Sequence, residues 1–177
     1  MAKIGRPRQR NKYDLSNEYG IGYTNKGEKF YFDLEDYDLI KDICWSLHGD
    51  YLEGRDFDGK VVKQHRVIMG LKKGDKLYVD HINHCTYDNR KENLRVCTNQ
   101  ENCMNQTTPK NNKSSGRKGI THRKDTGKWR VRIWKDYKAY NIGQYDTYEE
   151  ALKARIEAEK YYFGEFANKN EWGDDSE

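Results

Sequence analysis

The sequence predicts an α+β chain built from small modules, on three observations. Apolar residues make up 34% of the 177 residues and charged residues 35%, which is too lean for one large aliphatic core. Fourteen tyrosines and four tryptophans offer aromatic burial in its place. Short strand signals bounded by turn residues recur from 19 to 63 and again from 118 to 145, and a long helical pattern closes the second run.

Taken in order, residues 1–12 are basic, polar and aperiodic, which predicts a flexible arm. Residues 13–64 form a β-rich support region. In it "YGIGY" and "EKFYF" flank the turn "TNKG" as a hairpin. "DLEDYDLIKDI" places Leu34, Tyr37 and Ile40 at helical spacing behind an acidic start, and "CWSLHGDYLEG" and "VVKQHRV" read as further strands around "RDFDGK". Residues 65–106 give strand "KLYVDHI", a long polar loop, strand "NLRVCT" and a helix opening at "NQENCMNQ" with Asn99 as its cap. Residues 107–117 lack apolar side chains and form a linker.

The last module, 118–166, has three strands, "KGITHR", "KWRVRIWK" and "KAYNIGQY", then a helix. Thr147 and Glu150 make a capping box, Ala151, Ala154, Ala158 and Tyr162 line one face, and Gly164 stands where a helix-ending glycine belongs. Alternation turns Val131 and Ile133 toward that helix and Arg130, Arg132 and Trp134 away from it. Residues 167–177 read as a frayed acidic tail.

The net charge of +4 is unevenly spread: +5 over residues 1–12, −7 over 13–60, +4 over 61–112, +6 over 113–164 and −4 over 165–177. Basic blocks separated along the chain predict a polyanionic partner held at several points, double-stranded DNA first. The acidic 13–60 segment predicts support of its neighbour rather than phosphate contact. No apolar run reaches membrane-span length and the N-terminus lacks a signal-peptide core. A cytoplasmic protein with reduced cysteines is expected, with no membrane or obligate protein partner, as a monomer or weak dimer.

The segment "DHINHCTYDNRKENLRVCTNQEN", residues 80–102, concentrates two histidines and five asparagines. Structural zinc is disfavoured, because Cys85, Cys97 and Cys103 lack the close pairing that presents two thiolates to one ion. Oxygen ligands suit a hard divalent cation instead: Asp80 offers a carboxylate, Asn102 an amide oxygen, and His81 a group that takes a proton near neutral pH.

The order Asp80-His81, then Asn93 in "ENLR", then Asn102 in "ENCMNQ" resembles the HNH nuclease motif, in the form found in phage and intron homing endonucleases. "HRVIMG" resembles the segment that leads into it, and the likeness covers roughly residues 60–106. The resemblance implies a ββα-metal module that hydrolyses DNA phosphodiesters with one Mg²⁺ or Mn²⁺. In it Asp80 and Asn102 would hold the metal, His81 would be the general base, and Asn93 would hold the loop and orient His81. His65 and Arg66 would either contact a phosphate near the cut or pack as a buried polar pair. Where the family carries an Asp-Gly type turn this chain has Asn83-His84-Cys85, so His84 could touch DNA or compete as a base.

Residues 114–168 resemble an AP2 domain, a three-stranded sheet backed by one helix. This implies DNA contacts from Lys118, Thr121, Arg123, Arg130, Arg132, Trp134 and Asn141. Gly5-Arg6-Pro7-Arg8 resembles the core of an AT-hook, with Arg6 and Arg8 in a minor groove. Together the modules predict an HNH homing endonuclease with one active site per chain, hence a nicking enzyme. The rivals are a non-cutting DNA-binding regulator on the same modules and a nuclease for phage genome processing.

Overall fold

The hairpin signalled by residues 19–32 forms in the computed structural model, which describes residues 10–108 and 115–172. Strands β1 (Lys12–Asp14), β2 (Gly20–Tyr23) and β3 (Lys29–Phe32) make an antiparallel sheet in that order. Register explains the two glycines of β2, since Gly20 pairs with Phe32 and Gly22 with Phe30. A Cβ on Gly20 would stand 2.3 Å from the Phe32 ring, and one on Gly22 2.1 Å from that of Phe30. Bare backbone there lets both phenyls bury completely, at 0% exposure.

The chain divides into two compact units, Met1–Thr98 and Asn99–Glu177. In the first, a 3-10 turn at Leu34–Asp36 runs into the single-turn helix α1 (Tyr37–Ile40). Ile40 is fully buried, whereas Leu34 is 39% exposed and does not share the buried face its spacing suggested. A second antiparallel sheet follows, β4 (Ser46–His48), β5 (Tyr51–Arg55) and β6 (Val61–Lys63).

Here the expectation for "VVKQHRV" needs correction. The strand ends at Lys63, and Gln64–Ile68 is helix α2. Gln64, His65 and Ile68 are buried together at helical spacing, so the inward face is half polar and carries no apolar period to announce it. Strands β7 (Tyr78–His81) and β8 (Leu94–Cys97) then pair antiparallel. One core, from Phe30, Phe32, Ile40, Ile43, Trp45, Leu52, Ile68, Val79 and Leu94, joins β3, α1, β5, α2, β7 and β8. The support region and the β7–β8 hairpin therefore share a single interior.

The second unit begins with α3 (Asn99–Asn105), which includes Asn99 as its first residue rather than as a preceding cap. Strands β9 (Ile120–His122), β10 (Trp129–Lys135) and β11 (Lys138–Tyr145) form an antiparallel sheet with β10 central, and α4 (Tyr148–Phe163) packs on it. The Thr147–Glu150 capping box is formed, and the Gly164 amide donates to the Lys160 carbonyl. Val131, Ile133 and Ala151 are all 0% exposed.

Beneath α4 lies a buried ion network. Glu159 accepts from Arg155 Nε at 2.8 Å, Arg117 Nη2 at 2.8 Å and Trp172 Nε1 at 3.0 Å. Arg155 also donates to the Arg132 carbonyl at 2.6 Å, threading past Gly119, where a Cβ would stand 2.4 Å from the guanidinium. Glu171 binds Arg117 and Thr108, and Ala167 is buried. The frayed tail expected after 166 is thus corrected through Trp172, because the acidic and aromatic side chains there complete this network.

Candidate active site

Cross-strand register builds the site. β7 pairs Asp80 with Arg95 and His81 with Leu94. His81 lies on the core side with Val79 and Leu94, and is 5% exposed. Arg95 donates to Asp80 Oδ2 from Nε at 2.9 Å and from Nη2 at 2.7 Å. Asp80 is itself 7% exposed.

Asn89 hydrogen-bonds the His81 ring. Its Oδ1 lies 2.9 Å from His81 Nε2, and its Nδ2 donates to Gln64 Oε1 at 2.8 Å. An amide oxygen only accepts, so in this orientation Nε2 carries the proton and Nδ1 is the basic ring nitrogen. Both amide residues are buried, Asn89 at 1% and Gln64 at 0% exposure. Burial depresses the His81 pKa, against the opposing pull of the Asn89 bond and of the Asp80 and Asp88 carboxylates.

Asn93 ties the loop between the strands. Its Oδ1 accepts from the Asn83 amide at 2.9 Å and its Nδ2 donates to the Asp88 carbonyl at 2.8 Å. The loop is also stitched to the edge of β3, with Tyr31 N to Tyr87 O and Asn89 N to Tyr31 O both at 2.8 Å. Burial raises the Asp88 pKa, but the Arg90 hydrogen bonds and charge outweigh it and the net shift is downward. His84 occupies the left-handed region at φ 63° and turns the chain just beyond His81.

His65 is buried, whereas Arg66 is only half-buried. His65 is 5% exposed, its ring centroid 5.1 Å from that of His81 and 5.2 Å from that of Tyr51, both edge-on. Burial, then the neighbouring His81, pushes its pKa down to about 3, so it brings no charge to a phosphate. Arg66 donates to the carbonyls of Leu77 at 2.9 Å and Lys72 at 2.7 Å, which makes it a loop clamp.

Asn102 lies on α3, in the second unit. On the sheet there, pairing aligns Arg130 with Thr121 and Arg132 with Asn141, and these four share a face with Trp134, which is 61% exposed. A bulge between Val131 and Arg132 interrupts the ladder. Lys118 is turned inward, its Nζ donating to the Cys103 carbonyl at 2.9 Å with a pKa lowered by burial, and Arg123 is paired with Asp125. Arg6 and Arg8 lie outside the described residues.

Sequence reasoning did not single out Asn89 and Gln64. The five asparagines of 80–102 signalled a loop organised by amides, but Asn89 finds its place through Tyr31, far away in the chain.

A family model described as HNH endonuclease matches residues 62–104. Those residues carry an HNH endonuclease domain. The chain is 28% identical over 149 residues to an uncharacterized HNH endonuclease of Acanthamoeba polyphaga mimivirus, covering 82% of this chain and 76% of that protein. It is also 35% identical over 72 residues to Protein 3.8 of Escherichia phage T7, covering 41% of this chain and 59% of that one. No solved structure matches. The HNH domain and the viral relative support a DNA endonuclease, and the β7–β8 hairpin with its loop lies inside the matched stretch. Among the described residues, no helix is long and apolar enough to cross a membrane.

Proposed function

We propose that this endonuclease is of the homing type and nicks DNA with a divalent cation, using an AP2-like second unit as its address. The observation that carries the reading is the surroundings of His81, a buried ring whose Nε2 is engaged by Asn89, beside the Asp80 carboxylate.

The donor chemistry suits Mg²⁺ or Mn²⁺. Among the described residues no three His, Cys, Asp or Glu side chains converge on one point. A cation at Asp80 would therefore take most of its shell from water and substrate phosphate, as hard cations do. Asp80 would supply an oxygen while Arg95 fixes the carboxylate through Oδ2. Asn102 enters by its place in the strand–strand–helix order. When bound, the cation would polarise the scissile phosphate and stabilise the leaving 3′ oxygen.

His81 Nδ1 takes the proton of the attacking water, and Asn89 backed by Gln64 keeps the ring in the tautomer that can do so. Asn93 would hold the loop through Asn83 and Asp88 and so help orient His81. Thr121, Arg130, Arg132, Trp134 and Asn141 would read the target, and Arg130→Ala with Arg132→Ala should relax its preference by about 1–3 kcal/mol per lost base contact. One such site per chain favours a nick over a double-strand break.

The test is cleavage of supercoiled DNA with Mg²⁺ or EDTA by the wild type and His81→Ala. Metal-dependent open circles that vanish in the variant, with DNA binding retained, support the reading. Full activity in His81→Ala would move the base elsewhere, to His84 first. Tight binding with no cleavage of any DNA would favour the non-cutting regulator.

A further inference from the structure

We infer that the loop joining α2 to β7 is a DNA-backbone clamp on the catalytic unit, with Lys72, Lys73 and Lys76 as its contacts. The loop is held in shape from beneath. Arg66 reaches both of its ends, the Lys72 and Leu77 carbonyls, and the Leu71 amide donates to the Arg66 carbonyl at 2.8 Å. Gly74, at φ 103°, makes the tight turn between them.

The acid in the loop does not cancel its bases. Asp75 Oδ2 is turned back to accept from the Lys72 backbone amide at 2.7 Å. Lys72, Lys73 and Lys76 are all exposed, and none of the three ammonium groups has an ion-pair or hydrogen-bond partner among the described residues. Lys12, Lys26 and Lys29 of the first hairpin sheet are also without an ion pair among the described residues, but they do not cluster on one braced loop, and the remaining described lysines of this unit are paired. Lys41, Lys60, Lys63 and Lys91 each sit within 4.0 Å of a carboxylate. Three unpaired cations on a braced loop are what a phosphate backbone, rather than an acidic groove of the protein itself, would neutralise.

Position gives the clamp its use. Lys76 precedes Asp80 by four residues, a reach of at most about 14 Å along the extended chain. Successive nucleotides of a strand rise about 3.4 Å, so the clamp would grip the duplex within about four nucleotides of the phosphate presented to His81. A lysine is a point charge without base-edge geometry, so the grip would be indifferent to sequence. The clamp itself rests on DNA being the substrate; only its placement beside the cut rests on the assignment of His81, and neither rests on the AP2 reading.

The test measures binding of the full chain to a random-sequence duplex in EDTA across a salt titration, comparing wild type with Lys72→Ala/Lys73→Ala/Lys76→Ala. Each phosphate contact contributes about 0.9 to the slope of log affinity against log salt, so the slope should fall by about 2.7. Between 50 and 200 mM salt the deficit of the variant should shrink about 40-fold. The triple Lys→Arg variant should keep the wild-type slope. Unchanged slope and affinity in the alanine variant, with an unchanged melting profile, would overturn the clamp. Since cleavage is not read, failure of the catalytic assignment leaves this result standing.

Discussion

The loop around His81 and the base of α4 both bury polar side chains, with different chemistry. Around His81 the groups against the ring are amides and neutral rings, Asn89 backed by Gln64, with His65 and Tyr51, while the carboxylates nearby, Asp80 and Asp88, are paired with Arg95 and Arg90. Beneath α4 they are full charges, Arg117, Arg155 and Glu159, with Glu171 at the edge. Charges anchor a scaffold, because each is costly to leave alone in a low dielectric. Amides fix geometry while leaving the local field to be set by what arrives, here a phosphate and a cation. The contrast separates a region built to stay closed from one built to receive charge.

The largest expected effect strikes the charged region. Glu159→Ala would remove the carboxylate shared by two buried guanidinium groups and the Trp172 indole N–H, leaving Arg155 without a paired counter-charge among the described residues and Arg117 with that of Glu171. It should destabilise the second unit by about 3–5 kcal/mol, read from the urea midpoint. A loss below about 1 kcal/mol would mean that water reaches these arginines, and the contrast would weaken.

Asn89→Ala probes the neutral region. It removes the acceptor for His81 Nε2 and the donor to Gln64 Oε1. Losing the tautomer-setting partner should slow single-turnover cleavage about 100-fold, with DNA affinity unchanged. An equal loss in Ile40→Val, a variant in the core with no proposed role at the site, would show that the amide acts through general stability instead.

How much of this was legible follows from range. The β2–β3 and β10–β11 hairpins and α4 announce themselves through local alternation, turn residues and a capping box. Helix α2 hides because its buried face is Gln64 and His65, which carry no apolar period. The motif residues Asp80, His81, Asn93 and Asn102 stand out by order in the chain. Asn89 does not, since its placement needs β3, and neither does the packing of Glu171 and Trp172, which needs Arg117 and Glu159. Composition described those last residues as an acidic tail, and only long-range pairing makes them part of a core.

Acid gives the smallest effect and the sharpest test of neutrality in the His81 region. His65 has an unfolded pKa near 6.5 and a folded value pushed down to about 3 by burial. Below about 6.5 the unfolded chain takes up a proton that the folded chain refuses, so stability falls as pH drops toward 3. From pH 7 to pH 5 the loss from this group is about 2 kcal/mol. His81, shifted in the same direction by burial, adds to it. His65→Phe keeps an aromatic ring between Tyr51 and His81 but cannot take the proton, so its urea midpoint should fall less between these pH values. If wild type and variant lose stability equally over that range, His65 is already hydrated in the folded state, and the site around His81 is less dry than its burial indicates.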